Sequence, residues 1–196
     1  MNPTHPYIIG IAGGTASGKS TLARKLVEDL AELRVTVIGM DKYFRADKPV
    51  HRAPLTGQEW PDFNSPDSFH LDQLVTDLDA LVSAPGAPDV VVIEGLMTLQ
   101  HEPLRERLHL RVFVDAPADE RIVRRLRRNM AERGLSFEEI AAYYLQAVRF
   151  RHEEFVEPTR WFADVIINGV TLPDESVRLL TGHIRRAVCS TQTGPP

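Results

Sequence analysis

Tyr7-Ile8-Ile9-Gly10-Ile11-Ala12-Gly13-Gly14-Thr15-Ala16-Ser17-Gly18-Lys19-Ser20-Thr21 is the stretch that decides the fold. Its first six residues form an apolar run suited to a buried parallel strand, and from Thr21 to Leu33 the apolar residues recur with helical period. Between strand and helix, Gly13 to Ser20 fits the spacing G-x-x-x-x-G-K-[ST]. Small residues at these positions let backbone N–H groups turn inward on a phosphate, and the positive end of the following helix favours the same anion. Lys19 can bridge the β- and γ-phosphates of a triphosphate, and the Ser20 hydroxyl can take one position on Mg²⁺. The predicted cradle comprises Gly13, Gly14, Thr15, Ala16, Ser17, Gly18, Lys19, Ser20 and Thr21.

Outward from this stretch, short Val- and Ile-rich runs alternate with helical ones. Val35 to Met40, Val90 to Ile93, Arg111 to Val114 and Asp164 to Ile167 read as further strands. His70 to Ser83, Asp119 to Glu132, Ser136 to Phe155 and Asp174 to Val188 read as helices, with Ser136 and Glu139 spaced as a capping box. The pattern predicts an α/β fold with a parallel sheet of about five strands and helices on both faces. Between Lys42 and Pro66, five prolines and glycines predict an irregular loop that contacts substrate. The tail from Ser190 to Pro196 is expected to be disordered.

Composition sets the outer bounds. A chain of 196 residues with 43% apolar content suits one domain spanning 1–196. A formal charge of −4 without long basic tracts argues against a nucleic-acid partner. The lone Cys189 precludes an internal disulfide and a cysteine-based zinc site. No apolar run reaches membrane-spanning length and the start carries no leader pattern, so no membrane partner and a cytoplasmic location are expected. Self-association stays open.

In open parallel sheets ligands bind beyond the carboxyl ends of the strands. Asp41 closes the second run and Glu94 the third, so both are candidates for the metal beside Ser20. Asp41 reads either as the base that takes the proton of an acceptor hydroxyl or as a turn cap after its strand, and the first reading is favoured. The segment from Asp119 to Asn129 holds Arg121, Arg124, Arg125 and Arg128 on one helical side. With Arg133 and Gly134 beyond it, this helix suits a lid that neutralises a transferring phosphoryl group.

The glycine loop, Asp41 followed by aromatics, Pro66-Asp67-Ser68-Phe69, Val92-Ile93-Glu94-Gly95 and Phe113-Val114-Asp115 with the arginine helix occur in the order seen in uridine kinases. Glu153 to Thr159 followed by Ala163 to Ile167 continues the match, so the chain resembles the uridine kinase and phosphoribulokinase group of P-loop kinases along nearly its whole length. The resemblance implies a P-loop NTPase fold and Mg-ATP-dependent transfer to a primary hydroxyl of a small metabolite, a nucleoside above all. It also implies Asp41, Lys19, Arg125 and Arg128 as catalytic residues, and Ser20, Asp41 and Glu94 around the metal. A P-loop ATPase or regulatory protein without a small-molecule acceptor is the alternative, and the chain lacks the Asn-Lys-x-Asp element usual in guanine-specific relatives.

The acceptor side departs from the family. Uridine kinases grip the pyrimidine with a β-hairpin between the Pro-Asp-x-Phe motif and the strand ending in Glu-Gly, and here only His70 to Asp89 separates those landmarks. The family's ribose-holding aspartate aligns with Asn64, its tyrosine near the catalytic aspartate with Phe44, and an arginine and a glutamine after the lid with Leu135 and Tyr143. Phe44, Asn64 and Arg133 are the acceptor-site candidates, and uridine and cytidine are expected to be weak acceptors. From Ala53 to Pro103 there are acids but no Lys or Arg, which favours a neutral acceptor, a nucleoside or a polyol, if that stretch lines the site.

Overall fold

A computed structural model describes residues 5–192. Strand β1 (Tyr7–Ala12) lies at the centre of a five-stranded sheet in the order β2-β5-β1-β6-β7, formed with β2 (Val35–Gly39), β5 (Val90–Glu94), β6 (Leu110–Asp115) and β7 (Val165–Asn168). Every pairing is parallel; Ile9, for example, lies opposite Val92 on one side and Leu110 on the other. Each predicted strand is present, with bounds shifted by no more than a residue or so.

Alternation along the strands divides the core in two. Ile9, Ile11, Val90 and Val92 point to one face, where α1 (Lys19–Asp29) and α7 (Asp174–Gln192) cover them. Ile8, Val91 and Ile93 point to the other, against α2 (Leu71–Ser83) and the segments after β5. Helix α7 docks through Val177, Leu180, Ile184 and Val188, spaced three and four apart. Having buried Val188, it continues for another turn. Ser190 to Gln192, expected to be disordered, are therefore helical, while residues 193–196 of that tail and residues 1–4 lie outside the described ones.

The loop expected to be irregular holds a small antiparallel hairpin of β3 (Val50–Arg52) and β4 (Glu59–Pro61), with His51 opposite Trp60. Strands this short, one ending in proline, carry too little alternation to be read from sequence. Between α2 and β5 there is no strand, so the hairpin missing from the sequence is missing from the fold. After α3 (Glu102–Arg105) and β6 comes α4 (Ala118–Arg133), which stops at Gly134 in the left-handed conformation, φ 65°. The predicted capping box then starts α5 (Phe137–Tyr143): Glu139 N–H donates to Ser136 Oγ, and Ser136 N–H donates to a Glu139 carboxylate oxygen. What the sequence presents as one helix is interrupted twice. A π-wound turn (Tyr144–Val148), the short α6 (Arg149–Arg151) and a second π turn (His152–Val156) follow in succession. Among the described residues no helix is long and apolar enough to cross a membrane.

Candidate active site

The loop after β1 is shaped by backbone conformations that few side chains tolerate. Gly13 has φ 147°, and a Cβ there would lie 2.5 Å from the Val114 carbonyl oxygen. Ser17 N–H donates to Gly14 O at 3.1 Å, and Ala16 is held at φ 58°. A left-handed alanine costs about 1–2 kcal/mol, strain that proteins keep at ligand-binding loops. Helix α1 begins at Gly18 without a side-chain cap or an acidic residue in its first turn, so its positive end faces the loop unopposed.

Lys19 folds back over the loop, its ammonium donating to Gly14 O at 3.5 Å. Burial lowers its pKa, against the pull of Glu94 and Asp41 and with a smaller push from Arg128 and Arg125. All five charged groups line one cavity. Gly95 makes the convergence of the two acids sterically feasible, since a Cβ there would fall 2.3 Å from Met40 Cβ. Met40 sits fully buried in that space, and Asp41 follows it at the end of β2.

Ser20, Asp41 and Glu94 come together at one cavity. Ser20 Oγ donates to Glu94 Oε2 at 3.0 Å, and the Asp41 side chain lines the same cavity without a hydrogen-bond partner among the described residues. Asp41 is thus no turn cap. A hydroxyl and two carboxylates are hard oxygen donors of the kind Mg²⁺ takes when phosphate oxygens and water complete its shell. Two further observations fit bound phosphates: among the described residues, Ser17 Oγ within the loop and Arg125 Nε are buried without a hydrogen-bond partner.

The arginine helix divides its labour. Arg125 and Arg128 line the cavity with Arg133, and Arg125 donates to Thr15 Oγ1 at 2.8 Å. Burial pulls the Arg125 guanidinium down to about 10, with Arg128 and Arg133 adding repulsion. Arg124 turns away to the Gly169 and Val170 carbonyls, tying α4 to the turn after β7. Arg121 is buried behind the loop, where a Cβ on Gly14 would meet it at 2.6 Å. Thr21 is exposed in the first turn of α1 and does not line the cavity.

The cavity, about 610 Å³, continues past the phosphate loop into a chamber with aromatic walls. Phe44, Trp60, Phe63 and Tyr143 line it, together with Asn64. Phe44 meets Phe63 edge-on at 5.7 Å, Phe63 meets Tyr143 edge-on at 6.3 Å, and Tyr143 lies 5.6 Å from Trp60. The Ala53 to Pro103 stretch does line the cavity, through Trp60, Pro61, Phe63, Asn64, Glu94 and Leu96, while its other acids face elsewhere. Asp62 is fully buried against Arg151, Asp79 pairs with Arg107, and Asp89 with Arg34. Phe44, Asn64 and Arg133 all line the cavity, while Trp60 and Phe63 went unforeseen. Trp60 and Phe63, aromatics close together in the second half of a proline-punctuated loop, were the available signal.

The model of the phosphoribulokinase/uridine kinase family matches residues 78–176. A uridine kinase of Deinococcus deserti is 37% identical, over 93% of this chain and 97% of that protein. One from Chloroflexus aggregans is 35% identical, over 95% of this chain and 98% of its own. The structure of a shikimate kinase from Acinetobacter baumannii, in complex with shikimate, is similar in fold, with a TM-score of 0.51 at 18% identity over 96% of both chains.

Proposed function

The chain belongs to the phosphoribulokinase and uridine kinase family, and from that premise we propose that it is an ATP-dependent kinase that phosphorylates a hydroxyl of a nucleoside. One observation carries the reading: the phosphate loop, the Asp41 and Glu94 carboxylates and the Arg125, Arg128 and Arg133 cations open into a second, aromatic chamber. An ATPase or regulatory protein without an acceptor needs the first part and has no use for the second.

Mg-ATP, when bound, supplies the phosphoryl group and the charge that makes it transferable. The loop from Gly13 to Ser20 holds the phosphates through backbone N–H groups, with Lys19 across them. Ser20, Asp41 and Glu94 would hold the cation. Asp41, unengaged by the protein and facing the cavity, takes the proton from the acceptor hydroxyl as its oxygen attacks. Arg125 and Arg128 offset the charge spread over the equatorial oxygens, and the C-terminal half of α4 with Arg133 acts as the lid. Phe44 and Asn64 contact the acceptor. On this reading the protein is a one-domain cytoplasmic enzyme with no nucleic-acid partner.

The test is product analysis. The protein is incubated with Mg-ATP and, separately, uridine, cytidine, adenosine, guanosine, ribose and glycerol, and phosphorylated products are separated by chromatography. A nucleoside monophosphate formed in proportion to ADP is expected. ATP hydrolysis unaffected by every acceptor would support the regulatory alternative instead.

A further inference from the structure

The chamber contains an element that neither the family match nor the phosphate loop explains. The β3–β4 hairpin projects from the loop after Asp41 and brings Trp60 to the cavity wall. It is fastened to the π-wound turn by one residue, Gln146. The Gln146 carbonyl oxygen is 3.2 Å from His51 Nε2, and its side-chain oxygen accepts from Thr56 Oγ1 at 2.9 Å and Trp60 Nε1 at 3.4 Å. Both strands and their turn are thus held by a single side on the helix. Tyr143, one helical step earlier and on the same side, fastens Pro61 at the end of β4 and the stretch that follows it.

Tyr143 also determines which atoms face a ligand. Its hydroxyl donates to Pro61 O at 2.9 Å, which uses its only proton. It must then accept from Phe63 N–H at 3.3 Å and from Asn64 Nδ2 at 3.1 Å. The orientation of the Asn64 amide follows from this, and its Oδ1, with no partner among the described residues, is the acceptor atom left for the chamber. On the hairpin side of the chamber the other polar groups are spent on one another. A polyol entering there would surrender water for a single acceptor, whereas a flat ring would find aromatic faces.

We infer that the β3–β4 hairpin, latched by Gln146, is the acceptor-gripping element of this protein, and that Trp60 and Tyr143 hold the flat heteroaromatic base of a nucleoside. The inference rests on the proposed nucleoside kinase reading and deepens it, since it assigns the element and the residues that hold the base. It also separates two kinds of residue: Trp60 touches the base, and Gln146 positions Trp60. Because stacking is tolerant of base identity, discrimination among nucleosides is expected to be modest.

Two measurements test it. In the Trp161→Phe background, which removes a tryptophan that is 83% exposed, Trp60 is the sole indole reporter. Uridine or adenosine, added without ATP, is expected to change its emission saturably, and ribose to leave it unchanged. No nucleoside-dependent change, or an equal change with ribose, overturns the inference whether or not nucleosides are turned over. In steady-state kinetics, Trp60→Leu and Gln146→Leu are expected to raise the nucleoside KM about tenfold to a hundredfold, leaving the ATP KM and kcat within about threefold. Both donors to the Gln146 side chain point at its oxygen, so Gln146→Glu, which keeps an acceptor there, is expected to restore the KM to near wild type. Circular dichroism checks that each variant is folded, and Trp60→Phe supplies a milder change at the same place. A nucleoside KM unmoved by Trp60→Leu and Gln146→Leu overturns the hairpin's role while leaving the kinase assignment intact.

Discussion

The two ends of the cavity are built in opposite ways. The end assigned to phosphate comes mainly from one unbroken stretch, Gly13 to Ser20, of which Thr15, Lys19 and Ser20 line the cavity, and on the proposed reading its backbone does most of the binding. The acceptor end is assembled from pieces far apart in the chain, with Trp60 and Gln146 separated by 86 positions and Phe63 and Tyr143 by 80. A backbone cradle depends on local conformation, and local conformation tolerates few sequences. A side-chain chamber depends on shape, which many sequences satisfy. The chemistry of transfer is thus tied to a fixed motif while the choice of acceptor stays open to change.

Breaking the phosphate end should have the largest effect. Lys19→Ala is expected to lower kcat/KM about a thousandfold or more, because Lys19 is the one cation carried by the loop itself and the Arg125 and Arg128 guanidiniums approach from a different element, α4. The variant should keep the wild-type Tm to within a few degrees, since Lys19 contributes no apolar packing to the core. Turnover near wild type, measured by ADP release, would break the comparison outright by removing the phosphate loop from the reaction.

Asp41→Asn sharpens the boundary between the two ends. Its expected loss in kcat is about a hundredfold or more, with ATP affinity by equilibrium dialysis held within a few-fold, because an amide cannot take the hydroxyl proton. A parallel loss of ATP affinity would place Asp41 with the metal rather than with the acceptor.

The smallest effect lies behind the phosphate loop. His152 sits close to Gly14, and burial, reinforced by Arg121, pulls its pKa to about 4, while Glu157 and Asp115 pull the other way. The unfolded chain takes up this proton near the ordinary histidine value of about 6.5 and the native one only near 4. Stability from this group is therefore complete above pH 6.5 and lost as pH falls toward 4, by roughly 1–3 kcal/mol. Thermal melts across that window should show a falling Tm, and His152→Gln should flatten the fall. An identical slope in the variant would assign the pH dependence to other groups.

Much of the frame was legible. β1, the glycine loop and α1 announce themselves because a buried parallel strand, a left-handed turn and an amphipathic helix each demand particular residue types in sequence. Asp41 and Glu94 were legible because a carboxylate at the end of an apolar strand has few structural reasons to be there. Arg121 and Arg124 were not separable from Arg125 and Arg128, as helical spacing gives a side of the helix and not what lies opposite it.

By itself, then, the sequence determined the strand order's raw material, the phosphate cradle and the absence of a hairpin between α2 and β5, all of which follow from local pattern and chain length. Only the tertiary structure decided that His51, Thr56 and Trp60 meet Gln146, that Tyr143 orients the Asn64 amide, and that the acids of the middle stretch mostly turn away from the cavity. The physical reason is range. A three-residue strand has no stable pattern of its own, and this hairpin is held by a π-wound turn, distant in sequence, whose Gln146 bonds the side chains of His51, Thr56 and Trp60.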